Sequence, residues 1–276
     1  MRTRFLTRLI NREAEGYLAR RDVIFIPVGT TEMHGAMPLD CETVLPEAIA
    51  MLMAERADGL VLPHLPYFYA GATANGRGTL QMSIKTGYEY LYAVAKALIK
   101  QGFHRLIFVS YHAPAKLTIA PVVRDLFAET HVPVMHVDAF LSMYKYISSE
   151  AGADIDMEGD HRYDIHLAAY DLLGRLEDVP VTTCPELDCS GKIAGSTSHL
   201  KVMRELTGEW PMYYADEMDH MPTPVIPNEE VRAQRAANGR KILDRFIDWS
   251  KIDEVVEAMN EGDRYHQTVF EKYPWI

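Results

Sequence analysis

Cysteine is scarce. Three residues, Cys41, Cys184 and Cys189, occur in a chain of 276. The count is odd and no pair has zinc-finger spacing, which argues against a disulfide framework or a structural zinc module. Excess positive charge is missing as well: 28 Lys and Arg stand against 39 Asp and Glu, a net charge of −11, with no basic run. The electrostatic footprint of a nucleic-acid or anionic-membrane partner is therefore lacking, and the acidic surface serves solubility. No apolar run approaches the ~20 residues of a membrane span. Residues 1–21 are rich in Arg where a secretion signal has an apolar core. These features predict a cytoplasmic protein. Familiar catalytic loops are missing too. There is no Gly-x-Ser-x-Gly elbow and no Gly-x-x-x-x-Gly-Lys loop, and the glycines from Gly71 to Gly78 do not follow a first strand and open a helix, so a dinucleotide site fails its structural test.

What is present is an ordinary globular composition, 48% hydrophobic and 24% charged, enough to bury a core. The apolar run 23–29 reads as a buried strand that stops in a Gly/Thr turn, and 106–110 is a second strong strand. Weaker strands are expected at 60–63 and 132–137. Helical spacing falls at 45–56, 88–100, 119–129, 167–176 and 229–249. The alternation predicts a single α/β domain over 1–276, with a mostly parallel sheet flanked by helices and a C-terminal helical arm from about 222 to 276. No internal repeat or low-complexity tract occurs.

Ligand-type side chains gather just past the strand ends, where open α/β sheets bind ligands. Glu32-Met33-His34 places a carboxylate and an imidazole two residues apart, a pair suited to Zn²⁺ or Mn²⁺. On its own the pair is weak, and a solvated loop with a stray histidine explains it as well. Asp40 and Glu42 add two carboxylates to the same loop, Tyr111-His112 ends the other strong strand, and Asp160-His161 with Asp164 and His166 forms a further concentration. His64, His104, His131, His136, His199, His220 and His266 are expected to be surface or internally satisfied residues. The loop of Thr73, Asn75 and Arg77 reads as a polar lid over a small substrate. Tyr67 either packs at a strand end or holds a substrate ring.

Taken in order, Pro27-Val28-Gly29, Glu32-Met33-His34-Gly35, Pro38-Leu39, Gly78-Thr79-Leu80, Gly102-Phe103-His104-Arg105, the strand into His112 and Asp160-His161 resemble the creatininase (creatinine amidohydrolase) family. The resemblance runs from about residue 23 to 173. It implies a single α/β domain, usually assembled as a homo-hexamer, that opens amide bonds in small, often cyclic molecules at a one- or two-metal site. By position it makes Glu32, His34, Glu42, His112 and Asp160 metal ligands, with Asp40 as the reserve for Glu42, and His161 the catalytic proton carrier. The cofactor implied is one or two Zn²⁺ or Mn²⁺ ions. One departure stands out: Ala113-Pro114-Ala115-Lys116 follows His112 where creatininases carry a glutamate ligand two residues on. Proline cannot coordinate through its side chain, so one metal position is either incomplete or filled by His166 or another residue.

The chemistry implied is metal-hydroxide attack on a carbonyl, with Lys116 and the metal stabilising the oxyanion and Tyr67, Thr73, Asn75 and Arg77 binding substrate. The substrate would be a cyclic amide or an oxidised inositol such as 3-dehydro-scyllo-inosose, as in one branch of similar proteins. Two alternatives stand beside it: a metal-dependent isomerase or lyase of a sugar-like ligand, which would use the same ligands without consuming water, and a non-catalytic ligand-binding relative that lost its metal with the missing glutamate.

Overall fold

Six consecutive buried residues, Val23–Val28, form the central strand β1. Burial on both faces requires cover on both sides. In this computed structural model, which describes residues 1–156, 159–181, 203, 212–214, 220 and 225–276, the chain provides it. Val23 and Phe25 enter one apolar cluster, while Ile24, Ile26 and Val28 enter another on the opposite face. β1 pairs in parallel with the short β2 (Leu60–Val61) on one side and β3 (Arg105–Ser110) on the other; β4 (Val134–Asp138) lies beyond β3. The order β2-β1-β3-β4 means that the chain runs to one side after β1 and returns to the other for β3. In open α/β sheets such a reversal, here between the carboxyl ends of β1 and β3, marks the crevice where ligands bind.

Helix α1 (Asn11–Leu18) precedes β1. Helices α2 (Cys41–Ala57), α3 (Ile84–Lys100) and α4 (Lys116–Thr130) make the crossovers. Leu91, Ala95 and Leu98 of α3 and Ile119, Val122 and Leu126 of α4 cover one face. α2 covers the other, together with α5 (Ala139–Ile147) and α6 (Asp164–Leu172), then α7 (Glu229–Ser250) and α8 (Ile252–Lys272). The helices expected as an arm thus bury Leu243, Phe246, Ile247 and Val256 in the core. Among the described residues no helix is long and apolar enough to cross a membrane.

Several helix boundaries shift from the periodic reading, and those of α2 and α6 matter for the site. α2 begins at Cys41, four residues before the expected start, so Glu42 lies in its first turn and not in the loop that was expected to hold it. Pro46 is the sixth residue of the helix, and lacking an N–H it leaves the Glu42 carbonyl without its intrahelical partner. α3 begins at Ile84, where the Ser83 side chain accepts the Thr86 N–H at 3.0 Å. α6 begins at Asp164, which makes His166 a helical, buried residue.

Candidate metal centre

Because β1 and β3 are neighbours in register, with Val28 opposite Ser110, the segments that leave them start side by side. Glu32 and His34 come from the first, His112 from the second. Gly35, at φ 61°, lets the chain reverse between His34 and Ala36, which turns His34 inward. Gly29 crosses the first turn of α2 so closely that a Cβ there would lie 2.5 Å from the Glu42 carbonyl oxygen. The Thr43 hydroxyl ties the same turn to the Thr30 carbonyl at 2.9 Å. These contacts deliver Glu42 to the same crevice.

His112 Nδ1 donates to Glu42 Oε2 in a short contact and lies 3.4 Å from Glu32 Oε1, while its Nε2 donates to the Tyr69 carbonyl at 3.1 Å. That last bond fixes the ring so that Nδ1 faces the two carboxylates, the orientation a ligating histidine needs. Thr73 donates its hydroxyl to Glu32 Oε2. Glu32 Oε1 is left facing inward, 4.0 Å from His34 Nδ1 and 3.8 Å from His220 Nε2. Ligand atoms converge in three overlapping sets: Glu32, Glu42 and His112; Glu32, His34 and His220; and His34, Cys41 and His166.

All of these residues are buried except His220, which is intermediate. Among the described residues, Glu32 Oε1 and both ring nitrogens of His34 and of His220 have no hydrogen-bond partner. An unsatisfied buried polar atom costs about 1–3 kcal/mol and each buried unpaired charge several more. So many orphans in one place fit a cation that would satisfy them together.

The electrostatics agree. Burial would raise Glu32, but the positive charge and hydrogen bond of His112 beside it pull its carboxyl down to about 2. Burial and the adjacent Glu32 charge carry Glu42 up to about 7 despite His112. Burial would lower His112, yet Glu32 and Glu42 hold it well above the usual imidazole value. Without a metal, a proton on His112 takes the place of the cation. Burial depresses His34, with His220 adding to the effect, and burial also lowers His220 and takes His166 to about 4. These three rings are neutral at pH 7 and their lone pairs are available to a metal.

Asp40 accepts from Tyr170 Oη at 2.5 Å and from Arg175 Nη1 at 2.8 Å, so it is engaged elsewhere and Glu42 is the carboxylate that reaches the cluster. His161 stands on a short 3-10 turn, Gly159–Tyr163, with its side chain 58% exposed and 3.7 Å from Asp156; it does not join the buried set. Two residues on, Tyr163 meets the His34 ring edge-on at 5.9 Å. The side chain of Asp160 lies outside the described residues. Lys116 is exposed at the start of α4, and Tyr67 and Arg77 are exposed. Asn75 donates to the Tyr214 carbonyl at 2.8 Å, and the Tyr214 N–H returns a bond to Ala72 at 3.0 Å.

Two members of the cluster escaped sequence reasoning. His220 was grouped with the satisfied histidines, and nothing local marks it; it meets His34 edge-on at 4.7 Å and packs against Tyr214 at 5.1 Å. Cys41 has no zinc-finger spacing to another cysteine, and only its place beside Glu42 in the first turn of α2 brings it to the cluster. Of the other histidines, His64 pairs with Glu47, His136 bonds Ser110 at 2.8 Å, and His131 and His266 pack on Phe270. His104 is 3.9 Å from Asp22, and His199 lies outside the described residues.

Comparison with known proteins gives a consistent answer. The model of the creatininase (creatinine amidohydrolase) family matches residues 7–170. A creatinine amidohydrolase of Pseudomonas putida is 28% identical over 207 residues, 67% of this chain and 80% of that one. A manganese creatininase structure superposes with a TM-score of 0.61 at 22% identity, covering 94% of this chain and 99% of the other. A mutant creatininase of Zn-Zn type gives 0.59 at 20% identity over the same shares. At these identities the two structures establish the fold.

Proposed function

Since the chain belongs to the creatininase family, a family of metal-dependent amidohydrolases, we propose that it hydrolyses a small, cyclic, polar substrate at the centre built on Glu32, Glu42 and His112. The observation that carries this reading is the convergence of those three buried side chains from three segments, with Glu32 Oε1 left without a hydrogen bond. A divalent ion of the zinc or manganese class held there would acidify a water toward neutrality and polarise a substrate carbonyl.

The protein's own groups do the rest. The Tyr69 carbonyl orients His112 and the Thr73 hydroxyl orients Glu32, so the donor atoms are preorganised. His34 and Asp160 extend the ligand set by family position. His161, exposed on its short turn, carries the proton to the leaving group by family position. Lys116 offers positive charge to the developing oxyanion. Asn75 anchors the Gly-rich loop to Tyr214, which leaves Arg77 and Tyr67 to meet substrate hydroxyls or a ring.

Pro114, standing where creatininases have a glutamate ligand, favours a substrate other than creatinine. A polar ring suits the loop that carries Arg77, held in shape by Thr73 and Asn75, which points to an oxidised inositol such as 3-dehydro-scyllo-inosose, opened at a C–C bond, or to a polar cyclic amide. The working assembly is a homo-hexamer, by the family's habit.

The test has two stages. Elemental analysis of protein purified without chelator or affinity metal should return zinc or manganese. Turnover of oxidised inositols and cyclic amides in ¹⁸O-labelled water should then give a ring-opened product carrying one label. Label-free product of unchanged mass would mean an isomerase, and a metal-free protein would overturn the reading. His161→Ala should keep the metal and lose about 10²–10⁴-fold in kcat; full activity in that variant would remove His161 from the mechanism.

A further inference from the structure

The Glu32, Glu42 and His112 set leaves one buried group of ligand atoms unexplained. Cys41 opens α2 and is fully buried; His34 is 1% and His166 3% exposed. One ligand atom from each lies within 4.8 Å of the others. Neither ring nitrogen of His34 has a hydrogen-bond partner among the described residues, and those of His166 have none of good geometry, their polar neighbour being the Arg162 backbone. The two imidazoles lie 6.1 Å apart, and Tyr163 packs against both, at 5.9 Å from His34 and 5.5 Å from His166; Tyr111 meets His166 edge-on at 5.6 Å. Aromatic walls around these ring nitrogens form a site of low polarity, where a buried lone pair with no hydrogen bond to accept is costly unless a cation takes it up.

The short turn after His112, Ala113–Ala115, supplies no ligand side chain. A second ion in this crevice must therefore draw donors from elsewhere, and α6 is the element that offers one. We infer that His34, Cys41 and His166 form a second cation site with a sulfur ligand, adjacent to the Glu32, Glu42 and His112 centre. The two sites are neighbours because Cys41 and Glu42 are successive residues at the start of α2. A neutral imidazole has one lone pair, so when His34 joins Cys41 and His166 it ligates this second ion and is withdrawn both from the Glu32 centre and from His220. Three protein donors leave a fourth position of a tetrahedral zinc open to substrate or water. Thiolate with two imidazoles selects Zn²⁺ over Mn²⁺, because the softer ligand prefers the softer ion. Binding releases the thiol proton to solvent and forms one metal–sulfur bond, with no change of oxidation state.

The inference rests on the metal-dependent reading above, and cobalt separates the two. Full-length protein stripped with a chelator is titrated with Co²⁺ and followed by near-ultraviolet absorption and by bound-metal analysis. The expected result is a thiolate-to-cobalt charge-transfer band, and a capacity that falls from about two ions per chain to about one in Cys41→Ser and Cys41→Ala. Zinc-loaded protein should show a Zn–S distance of about 2.3 Å in X-ray absorption. A Cys184→Ser/Cys189→Ser variant should keep both signals. Retention of one ion and a native circular dichroism spectrum in the Cys41 variants shows that they have folded. Cobalt bound without a sulfur band, or a band lost with Cys184 and Cys189 and not with Cys41, overturns this site while leaving the first centre intact. No bound cobalt in any form overturns both.

Discussion

Glu32 is the residue on which the centre turns. One carboxylate oxygen takes the Thr73 hydroxyl and the other faces His112, His34 and His220, so a neutral side chain at position 73 decides where a charged one points. Thr73→Val should keep the fold and weaken metal affinity by about 10- to 100-fold, the usual effect of removing a partner behind a ligand; a chelator competition titration measures it, and unchanged affinity would show that Glu32 orients itself without Thr73. His64 makes a pH prediction away from the metal. Its hydrogen bond with Glu47 raises the imidazole above 6.5 against the effect of burial. A folded-state value above the unfolded one means that the folded protein holds this proton more tightly. The added stability is complete below 6.5 and disappears as pH rises through the higher folded value. Urea midpoints of the metal-free protein should fall across that interval, and His64→Ala should flatten the fall. Equal slopes in both proteins would exclude the pair as the source.

At the scale of elements, glycine separates positions that permit contact from positions that merely tolerate it. Gly29 lets the end of β1 touch the first turn of α2: a Cβ there would sit 2.5 Å from the Glu42 carbonyl oxygen and 2.5 Å from Thr43 Cα. Gly29→Ala should cost about 3 kcal/mol by overpacking and displace Glu42, lowering metal affinity as well. Gly16, within α1, has nothing within 4 Å of its added Cβ. Gly16→Ala should stabilise by about 0.5–1 kcal/mol through helix propensity and a smaller unfolded ensemble. Denaturation of the two variants side by side checks both signs; a mild Gly29→Ala would mean that α2 is free to shift. Further along, Gly239 of α7 lies against the backbone of Asp164, and Arg235 pairs with the Asp164 carboxylate at 2.7 Å in a buried contact. This joint sets the height of α6, and with it the position of His166.

For the molecule as a whole, the carboxylates at the reversal of strand order couple metal binding to folding. A ligand that binds only the native state at a thousand times its Kd adds about 4 kcal/mol. For a chain of this size each kcal/mol moves the thermal midpoint by about 2–4 °C. Chelation should therefore lower Tm by roughly 10 °C, with recovery on adding back zinc or manganese. A midpoint indifferent to chelator would mean that protons and internal pairs satisfy the buried set without a metal.

Much of this was legible in the chain. The strands 23–29 and 106–110 and the parallel α/β alternation follow from local pattern, because a buried strand and the loop that leaves it are specified by neighbours in sequence; Glu32, His34, Glu42 and His112 were grouped by the resemblance to the creatininase family, with Asp40 in reserve for Glu42. Helix starts were less legible, since Pro46 and the polar residues near Asp164 weaken periodicity where packing still holds a helix. What only the tertiary structure decided is membership of the crevice. Asp40 turns away to Arg175 and Tyr170, His161 faces solvent, and His166, Cys41 and His220 turn inward. Those outcomes depend on how α2, α6 and α7 pack across the sheet, and the free energy of burying a side chain belongs to the assembled surroundings of the residue, which its flanking sequence does not specify.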